Sequence, residues 1–243
     1  MSARVGVVVF PGTNCELDVV EAIGLLGGEA RLLWHAEATV GGVDAVVVPG
    51  GFAHGDYLRP GAIARFSPVM DAVAGFARAG GPVVGICNGF QVLTEAGLLP
   101  GALQKNRGLK FLCKMSNLRV ETARSSLTNA TTVGTILRVP INHFEGNYTC
   151  SPEVLADLRA EDRIVLRYVD NPNGSVDDIA GICNAGRNVV GLMPHPERAS
   201  HELLDSVDGE PLLRSLLASA EGAGEGAAEG MKENDEALSL RRG

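Results

Sequence analysis

Short apolar runs rich in valine recur along this chain, and segments with helical spacing separate many of them. Val46–Val48 and Val83–Ile86 are clear examples of such runs. Antiparallel strands with one face in water alternate apolar and polar residues, whereas strands buried on both faces are continuously apolar. The pattern therefore predicts an α/β fold with a largely parallel sheet that is flanked by helices on both faces.

Apolar periodicity also predicts the order of the elements. In the first half we predict strands at Arg4–Phe10, Ala30–Trp34, Ala45–Val48 and Pro82–Ile86, and helices at Cys15–Gly27, Ala62–Ala79 and Phe90–Ala96. In the second half we predict a small antiparallel extension, a closing strand and a last helix, at Phe111–Glu121, Gly134–Pro140, Ile164–Val169, Ile179–Cys183, Asn188–Met193 and Pro211–Ser219.

The composition changes near residue 219. Residues 1–218 can bury a substantial core as one domain. Residues 219–243 begin with a run rich in glycine, alanine and glutamate that has no apolar periodicity. Such a run buries too little surface to offset its ordering entropy, so we predict a disordered acidic tail there.

Charge and cysteine content argue against several classes of protein. The 21 basic and 29 acidic residues give a net charge of −8, which disfavours nucleic-acid and anionic-membrane partners. No apolar stretch reaches the length of a membrane span. Five scattered cysteines without a CxxC pair disfavour a disulfide framework and a zinc site, and they are typical of a reducing cytoplasm. We therefore expect a cytoplasmic protein with no metal site.

Cys87 lies where a predicted strand turns into a helix. Gly85 and Gly89 flank the turn, at positions where a Cβ would crowd the backbone. A nucleophile elbow has this pattern, and it places its side chain at a helix N-terminus, which favours a thiolate. The run alone is equally compatible with an ordinary buried cysteine.

His195 and Glu197 follow the predicted closing strand. A cysteine nucleophile needs a base, and the base needs a group that orients it. Flanking prolines should keep this segment extended, so side chains two residues apart should point the same way. A chance His-Pro-Glu sequence in a surface loop is the alternative. Together with the cysteine elbow, the pattern favours a Cys87–His195–Glu197 catalytic triad.

Gly50 and Gly51 follow another predicted strand, at the same end of the sheet as Cys87. Two glycines allow the backbone to approach a ligand, and an N–H group there can be offered to a developing oxyanion. A tight turn without catalytic function is the alternative. The phosphate-binding pattern GxxxxGK[ST] is absent from the sequence, which disfavours a phosphate cradle.

Several separated motifs resemble the class I, or triad-type, glutamine amidotransferases. They are Pro11–Cys15, Val48–Phe52, Gly55–Phe66, Cys87–Gln91, Asn173–Gly181 and Met193–Arg198. The resemblance spans roughly Val5 to Leu217 and implies a flavodoxin-like fold for residues 1–218. Within this family, the motifs are most similar to those of glutaminase subunits that supply ammonia to a separate synthetase.

This resemblance implies that glutamine is hydrolysed to glutamate and ammonia through a thioester on Cys87. The implied acceptor reaction converts formylglycinamide ribonucleotide to formylglycinamidine ribonucleotide in purine biosynthesis. Its partners would be a small bridging subunit and a large synthetase subunit. The synthetase would use ATP and Mg²⁺, and no cofactor is implied in this chain.

Further site residues follow from the same resemblance. The N–H groups of Gly51 and Asn88 would hold the oxyanion, and Gln91 would frame the glutamine pocket, although Gln91 is alternatively a helix-surface residue. His143 would either contact substrate or partner or be a structural hydrogen-bond donor. Phe144 stands where family members usually carry a small residue, which implies a changed pocket shape.

Other interpretations and positions complete the set of expectations. A protease or glyoxalase of related fold would share Cys87, but the His195–Glu197 motif near the C-terminus argues against it. A non-catalytic binding subunit would not need the intact triad. Cys15 has no apparent base nearby, so we expect it to be a packed residue. The Gly55–Phe66 segment is a candidate docking face, because Tyr57, Arg59 and Arg65 are residues typical of interfaces.

Overall fold

The computed structural model describes residues 2–222. Its strands are β1 Arg4–Val9, β2 Glu29–Trp34, β3 Ala45–Val48, β4 Val83–Ile86, β5 Ala102–Gln104, β6 Leu112–Val120, β7 Ile136–His143, β8 Asn147–Thr149, β9 Ile164–Tyr168, β10 Ile179–Cys183 and β11 Val189–Leu192. Its α-helices are α1 Glu16–Leu25, α2 Pro68–Arg78, α3 Asn88–Glu95, α4 Pro152–Ala160 and α5, residues 210–222. None of the helices in this range is both long and apolar enough to cross a membrane.

In the described part of the chain, nine strands form one mixed sheet in the order β2-β1-β3-β4-β11-β10-β9-β6-β7. The strands from β2 to β11 in this order run parallel to their neighbours. The strands from β10 to β7 continue the same sheet with antiparallel pairing. β5 and β8 form a separate antiparallel pair. The predicted fold class is confirmed, and most of the antiparallel extension belongs to the main sheet.

The crossover directions place helices on both faces of this sheet. The connection from β1 through α1 to β2 moves toward one edge, and the connection from β3 through α2 to β4 moves the opposite way. Because parallel crossovers are right-handed, α1 and α2 lie on opposite faces. The strand order therefore reverses between β1 and β3, and open α/β sheets bind ligands at the carboxyl ends of strands near such a reversal.

The central strands form the core, and α3 is tightly attached to them. Every residue of β3, β4 and β11 is buried. Phe90 of α3 is fully buried and stacks on Tyr148 at a ring-centroid distance of 5.8 Å. A Cβ on Gly191 of β11 would overlap the Phe90 ring, so glycine there allows close packing. This contact ties α3 to the strand that precedes His195.

The helix predicted at Ala62–Ala79 is interrupted in the structure. Ala64–Phe66 forms a 3₁₀ turn, and α2 begins only at Pro68. A proline disfavours helical geometry in the preceding residue, and Ser67 has an extended ψ of 140°. The apolar periodicity continued across this break, which is why the sequence indicated one helix.

One further helix and one strand end differ from the prediction. α4 was missed, although Ser151 caps it by accepting a hydrogen bond from the Val154 N–H and Pro152 occupies its first turn. The strand predicted to end at Pro140 instead continues to His143 as β7. β7 is an edge strand, where the missing N–H of a proline is tolerated.

The predicted domain boundary at residue 219 is too early. α5 continues through residue 222, and Ala220 is fully buried. Ser219 Oγ accepts a hydrogen bond from Asn129 Nδ2 at 2.8 Å and donates one to the Ser126 carbonyl at 3.2 Å. Composition alone does not reveal these tertiary contacts. Residues 223–243 of the predicted tail lie outside the described residues.

A chain truncated after Ala218 should therefore be less stable than one truncated after Gly222. The shorter chain loses two hydrogen bonds of Ser219 and the packing of Ala220. A loss of about 2 kcal/mol corresponds to a fall in Tm of about 4–8 °C. Thermal unfolding of the two truncated chains and the full chain measures this difference. Equal midpoints for both truncations would show that the end of α5 contributes nothing.

Candidate active site

Cys87 lies in the sharp turn between β4 and α3, at φ 51° and ψ −105°. Such a positive φ is uncommon and strained for a residue with a side chain. A Cβ on Gly89 would collide with the Val48 carbonyl, so glycine lets α3 pack directly against β3. The Cys87 side chain is 6% exposed and lines a cavity. This arrangement is that of a nucleophile elbow.

The register of two parallel strands brings the second part of the site to Cys87. Ile86 of β4 pairs with Leu192 of β11, so the residues that follow both strands lie at the same edge of the sheet. The Cys87 N–H donates to the Leu192 carbonyl at 2.8 Å. His195 comes shortly after Leu192 and lines the same cavity as Cys87.

His195 and Glu197 are joined by a short turn, and the expected extended segment is not present. Pro196–Arg198 forms a 3₁₀ turn in which the Arg198 N–H donates to the His195 carbonyl at 3.1 Å. The fixed φ of a proline suits the first position of such a turn, a role that the prediction overlooked. The two side chains nevertheless meet, with His195 Nδ1 2.6 Å from Glu197 Oε1.

The environment of His195 favours its charged form. Burial lowers the pKa of His195, but the charges of Glu197 and Cys87 raise it, and the net pKa is well above the usual value. Nδ1 is engaged by Glu197, whereas Nε2 is buried and has no hydrogen-bond partner among residues 2–222. Nε2 is therefore the nitrogen available for proton transfer at the sulfur and the substrate.

Cys15 also belongs to this site, which corrects the expectation that no base lies near it. Donor atoms of Cys15, His195 and Glu197 all lie within 4.8 Å of one another. In addition, Arg198 Nη2 donates a hydrogen bond to Cys15 Sγ at 3.2 Å. Cys15 lies in the loop after β1 and His195 follows β11, so residues far apart in the sequence come together here. Zinc accepts these donor types. In this structure, however, His195 Nδ1 and Glu197 Oε1 are engaged with each other in a hydrogen bond.

Gly50 occupies the narrow space between these side chains. A Cβ at this position would lie 2.8 Å from His195 Cε1 and 3.0 Å from Cys15 Sγ. Its carbonyl oxygen accepts hydrogen bonds from the N–H groups of Cys15 at 3.2 Å and Asn14 at 3.5 Å. These bonds fix the orientation of the Gly50–Gly51 peptide.

The two predicted oxyanion donors come from different parts of the chain, Gly51 from the segment after β3 and Asn88 from the start of α3. The Gly51 N–H points opposite to the Gly50 carbonyl, because the peptide is trans, and Gly51 lines the cavity. The Asn88 N–H is the first of α3, where no intrahelical acceptor exists. The Asn88 N–H directly follows the nucleophile, whereas the direction of the Gly51 N–H depends on the hydrogen bonds that orient the Gly50–Gly51 peptide.

The side chains of Asn88 and Gln91 organise the cavity walls. Asn88 Oδ1 accepts from the Ala53 N–H at 3.0 Å, and Asn88 Nδ2 donates to Asp56 Oδ1 at 3.0 Å and Gln91 Oε1 at 2.9 Å. Gln91 Nε2 donates to the Glu145 carbonyl. Gln91 is buried and lines the cavity, and its amide links α3 to the turn after β7.

His143 is neutral, and its tautomer follows from its neighbour. Asn106 Nδ2 donates to the carbonyls of Lys110 and His143, both at 2.9 Å, so Asn106 Oδ1 is the acceptor that faces His143 Nδ1 at 3.1 Å. His143 therefore donates from Nδ1. Burial and the nearby His195 lower its pKa to about 4. His143 makes a structural hydrogen bond and also lines the cavity, so its two predicted roles are compatible.

The cavity above Cys87 has a volume of about 290 Å³. Its walls come from the loop after β1, the segment after β3, α3 and the turn after β7. Phe144 forms part of the mouth and is partly exposed, next to the Lys105 ammonium at 5.9 Å from its ring. Sequence reasoning missed Asp56 and Glu145 as cavity residues, because nothing local marks a carboxylate as facing a cavity.

Comparisons with known proteins agree with this geometry. Residues 2–212 match the family model of the CobB/CobQ-like glutamine amidotransferase domain. The chain is 60% identical over 218 residues to phosphoribosylformylglycinamidine synthase subunit PurQ of Rubrobacter xylanophilus, covering 90% of this chain and 99% of that protein. It is 56% identical over 215 residues to PurQ of Synechococcus elongatus, covering 88% and 97%.

Solved structures show the same relationship. The structure of PurLQS from Thermotoga maritima contains a chain with a TM-score of 0.83 and 42% identity, covering 90% of this chain and 99% of that one. A putative GMP synthase component from Thermoplasma acidophilum has a TM-score of 0.65 at 15% identity, covering 93% and 97%, and shows the fold alone. Together these comparisons confirm the resemblance that the sequence motifs indicated.

Proposed function

This chain belongs to the family of CobB/CobQ-like glutamine amidotransferase domains, and from that premise we propose that it is the glutaminase subunit of phosphoribosylformylglycinamidine synthase. It hydrolyses glutamine and delivers the ammonia to a synthetase that converts formylglycinamide ribonucleotide to formylglycinamidine ribonucleotide. The observation that carries the proposal is that Cys87 and His195 line one cavity, with Glu197 bound to His195, in a chain so similar to PurQ proteins.

Catalysis begins when the Cys87 thiolate attacks the side-chain carbonyl carbon of glutamine. A C–S bond forms, and the carbonyl electrons move onto oxygen. The N–H groups of Gly51 and Asn88 stabilise this oxyanion; losing one such donor typically raises a barrier by about 2.7–4 kcal/mol.

Proton transfer by His195 completes the cycle. The His195 imidazolium gives the Nε2 proton to the amide nitrogen as the C–N bond breaks, and ammonia leaves a thioester on Cys87. His195 then removes a proton from water, which attacks the thioester. The C–S bond breaks, glutamate is released, and the thiolate returns. Glu197 holds Nδ1 throughout and stabilises the imidazolium.

Ammonia chemistry explains the need for partners. Ammonia released into neutral water is mostly protonated and therefore no longer a nucleophile, so it must pass directly to the acceptor. The partners are the small bridging subunit and the large synthetase subunit, and the similarity to the PurLQS structure supports them. ATP and Mg²⁺ act on the synthetase, and this chain needs no cofactor. We also propose a cytoplasmic location, which the five free thiols support.

The Gly55–Phe66 segment is the proposed docking face beside the cavity. Tyr57, Leu58 and Phe66 expose 73%, 90% and 74% of their surface there, which is unusual for large apolar side chains. Arg59 is instead held by Glu95 through two hydrogen bonds of 2.6 and 2.7 Å, so it shapes the segment more than it offers a free charge.

Glutaminase activity should depend on assembly. The isolated chain is expected to release glutamate slowly and the complete complex orders of magnitude faster, because a few kcal/mol of reorientation at Gly50–Gly51 controls an oxyanion donor. In the structure that peptide accepts hydrogen bonds from the loop after β1, which links the donor to the exposed Asn14. Glutamate release is measured after adding synthetase, bridging subunit, nucleotide and acceptor in turn. Full turnover by the free chain would contradict the gating.

The proposed function itself is tested by reconstitution. The chain should co-purify with the synthetase and support product formation from glutamine, in parallel with an assay that supplies ammonium instead. A protease or glyoxalase would release no glutamate from glutamine. A non-catalytic subunit would support the ammonium reaction only, and iodoacetamide would not trap a reactive Cys87.

A further inference from the structure

Two carboxylates in the cavity wall take no part in the mechanism above. Asp56 comes from the segment after β3, and Glu145 comes from the turn after β7. They line the same cavity as Cys87 and His195. The negative charge of Glu145 also contributes to raising the pKa of Asp56.

Asp56 and Glu145 form what we call the acidic wall of the cavity. Hydrogen bonds hold this acidic wall in a fixed position relative to Cys87. Asn88, the residue after Cys87, donates to Asp56 Oδ1 at 3.0 Å. The same amide group binds Gln91, and Gln91 in turn holds the Glu145 carbonyl. Asp56 itself has a φ of 51°, a conformation that aspartate and asparagine adopt more readily than most residues.

The electrostatic balance at Asp56 favours an incoming positive charge. Burial raises the pKa of Asp56 to about 6, with a further increase from Glu145, against hydrogen bonds that lower it. Among the ion pairs of residues 2–222, Asp56 has no cationic partner, and the nearby Arg59 is engaged by Glu95. A cation bound here would lower the cost of both negative charges.

The cavity is also lined by a buried side chain that has a polar atom unpaired within residues 2–222. His195 is 1% exposed, lines the cavity, and its Nε2 has no hydrogen-bond partner in the described range. A reacting carboxamide at Cys87 and His195 would leave the rest of the substrate within the same cavity. The remaining cationic group of a glutamine molecule is its α-ammonium, which lies only a few bonds from the carboxamide.

We propose that Asp56 binds the α-ammonium group of glutamine, with Glu145 adding negative potential, and so selects α-amino acid amides. This inference rests on the proposed glutaminase function and adds a specificity-determining residue to it. Asp56 would contact the substrate directly, whereas Asn88 and Gln91 position the acidic wall. A carboxamide that lacks an α-ammonium group would gain nothing from Asp56.

The test compares glutamine with glutaramate, which has the same carboxamide and carboxylate but no α-amino group. In the reconstituted complex, Asp56→Asn should lower kcat/KM for glutamine by about 10- to 100-fold, mostly through KM, as expected for losing one charge-assisted hydrogen bond. Hydrolysis of glutaramate should change little, so the preference for glutamine should fall by the same factor. Asparagine tolerates the φ of Asp56 and can still accept from Asn88.

Matched variants separate a direct contact from a structural effect. Asp71→Asn removes one exposed carboxylate from α2, away from the cavity, and should leave both reactions unchanged. Glu145→Gln should reduce the preference for glutamine in the same direction but less strongly, and it provides an independent test if Asp56→Asn folds poorly.

Each outcome of the experiment decides a different statement. Equal losses for glutamine and glutaramate in the Asp56 variant would show that Asp56 acts only by holding Asn88, and no loss for either would show that it binds nothing. Either result overturns the inference and leaves the proposed function intact. If the unmodified complex releases no glutamate from glutamine, the proposed function itself fails.

Discussion

Cys87→Ala is expected to abolish glutamine-dependent product formation by the assembled enzyme while ammonium-dependent formation continues. The substitution removes the sulfur that we propose forms the thioester, and loss of the nucleophile in a cooperative triad lowers turnover by about a millionfold. The synthetase site lies on another chain, so added ammonia still reaches its acceptor. Paired assays with glutamine and with ammonium at high concentration measure the two activities.

The exposed Cys113 supplies the control for this experiment. Cys113→Ala removes a thiol of the same chemistry from β6, outside the cavity, and should leave both activities unchanged. The thermal midpoint of the Cys87 variant shows whether the fold is retained. If a folded Cys87 variant in the complex lost both activities, Cys87 would have a role other than ammonia production.

Glu197→Gln is expected to lower glutaminase turnover by about 10³- to 10⁴-fold with little change in KM. Glu197 is buried, accepts the Nδ1 hydrogen bond of His195 at 2.6 Å, and opposes the lowering of the His195 pKa by burial. A neutral amide keeps the size of the side chain but removes that charge. The imidazolium that donates a proton to the departing ammonia is then less stable. Steady-state kinetics with glutamine give kcat and KM separately.

Glu202→Gln is the matched control, because Glu202 is exposed and follows the site by only a few residues. It should leave kcat and KM as they are. An unchanged kcat in the Glu197 variant would remove Glu197 from the triad. A raised KM with an unchanged kcat would indicate that Glu197 contributes to binding instead.

The triad could be proposed from the sequence because its signals are local. The elbow is marked by Gly85 and Gly89 around Cys87, where the backbone excludes a Cβ, and the fold class follows from continuously apolar strands between helices. His195 and Glu197 lie two residues apart, so their proximity needed little knowledge of the fold. The predicted extended backbone was wrong, but the predicted contact between the two side chains is present, because a 3₁₀ turn also brings them together.

Tertiary structure decided which other residues share the site. Cys15 lies beside His195 because β1 and β11 end at the same edge of the sheet, and Asp56 lines the cavity in a position held by a hydrogen bond from Asn88. The tautomer of His143 depends on how Asn106 is oriented by two carbonyls. Local periodicity carries no information about such contacts, because each depends on the register and order of strands that are distant in the chain. The sequence by itself determined the fold class and the reactive groups, and the packing of strand ends determined the shape and charge of the cavity around them.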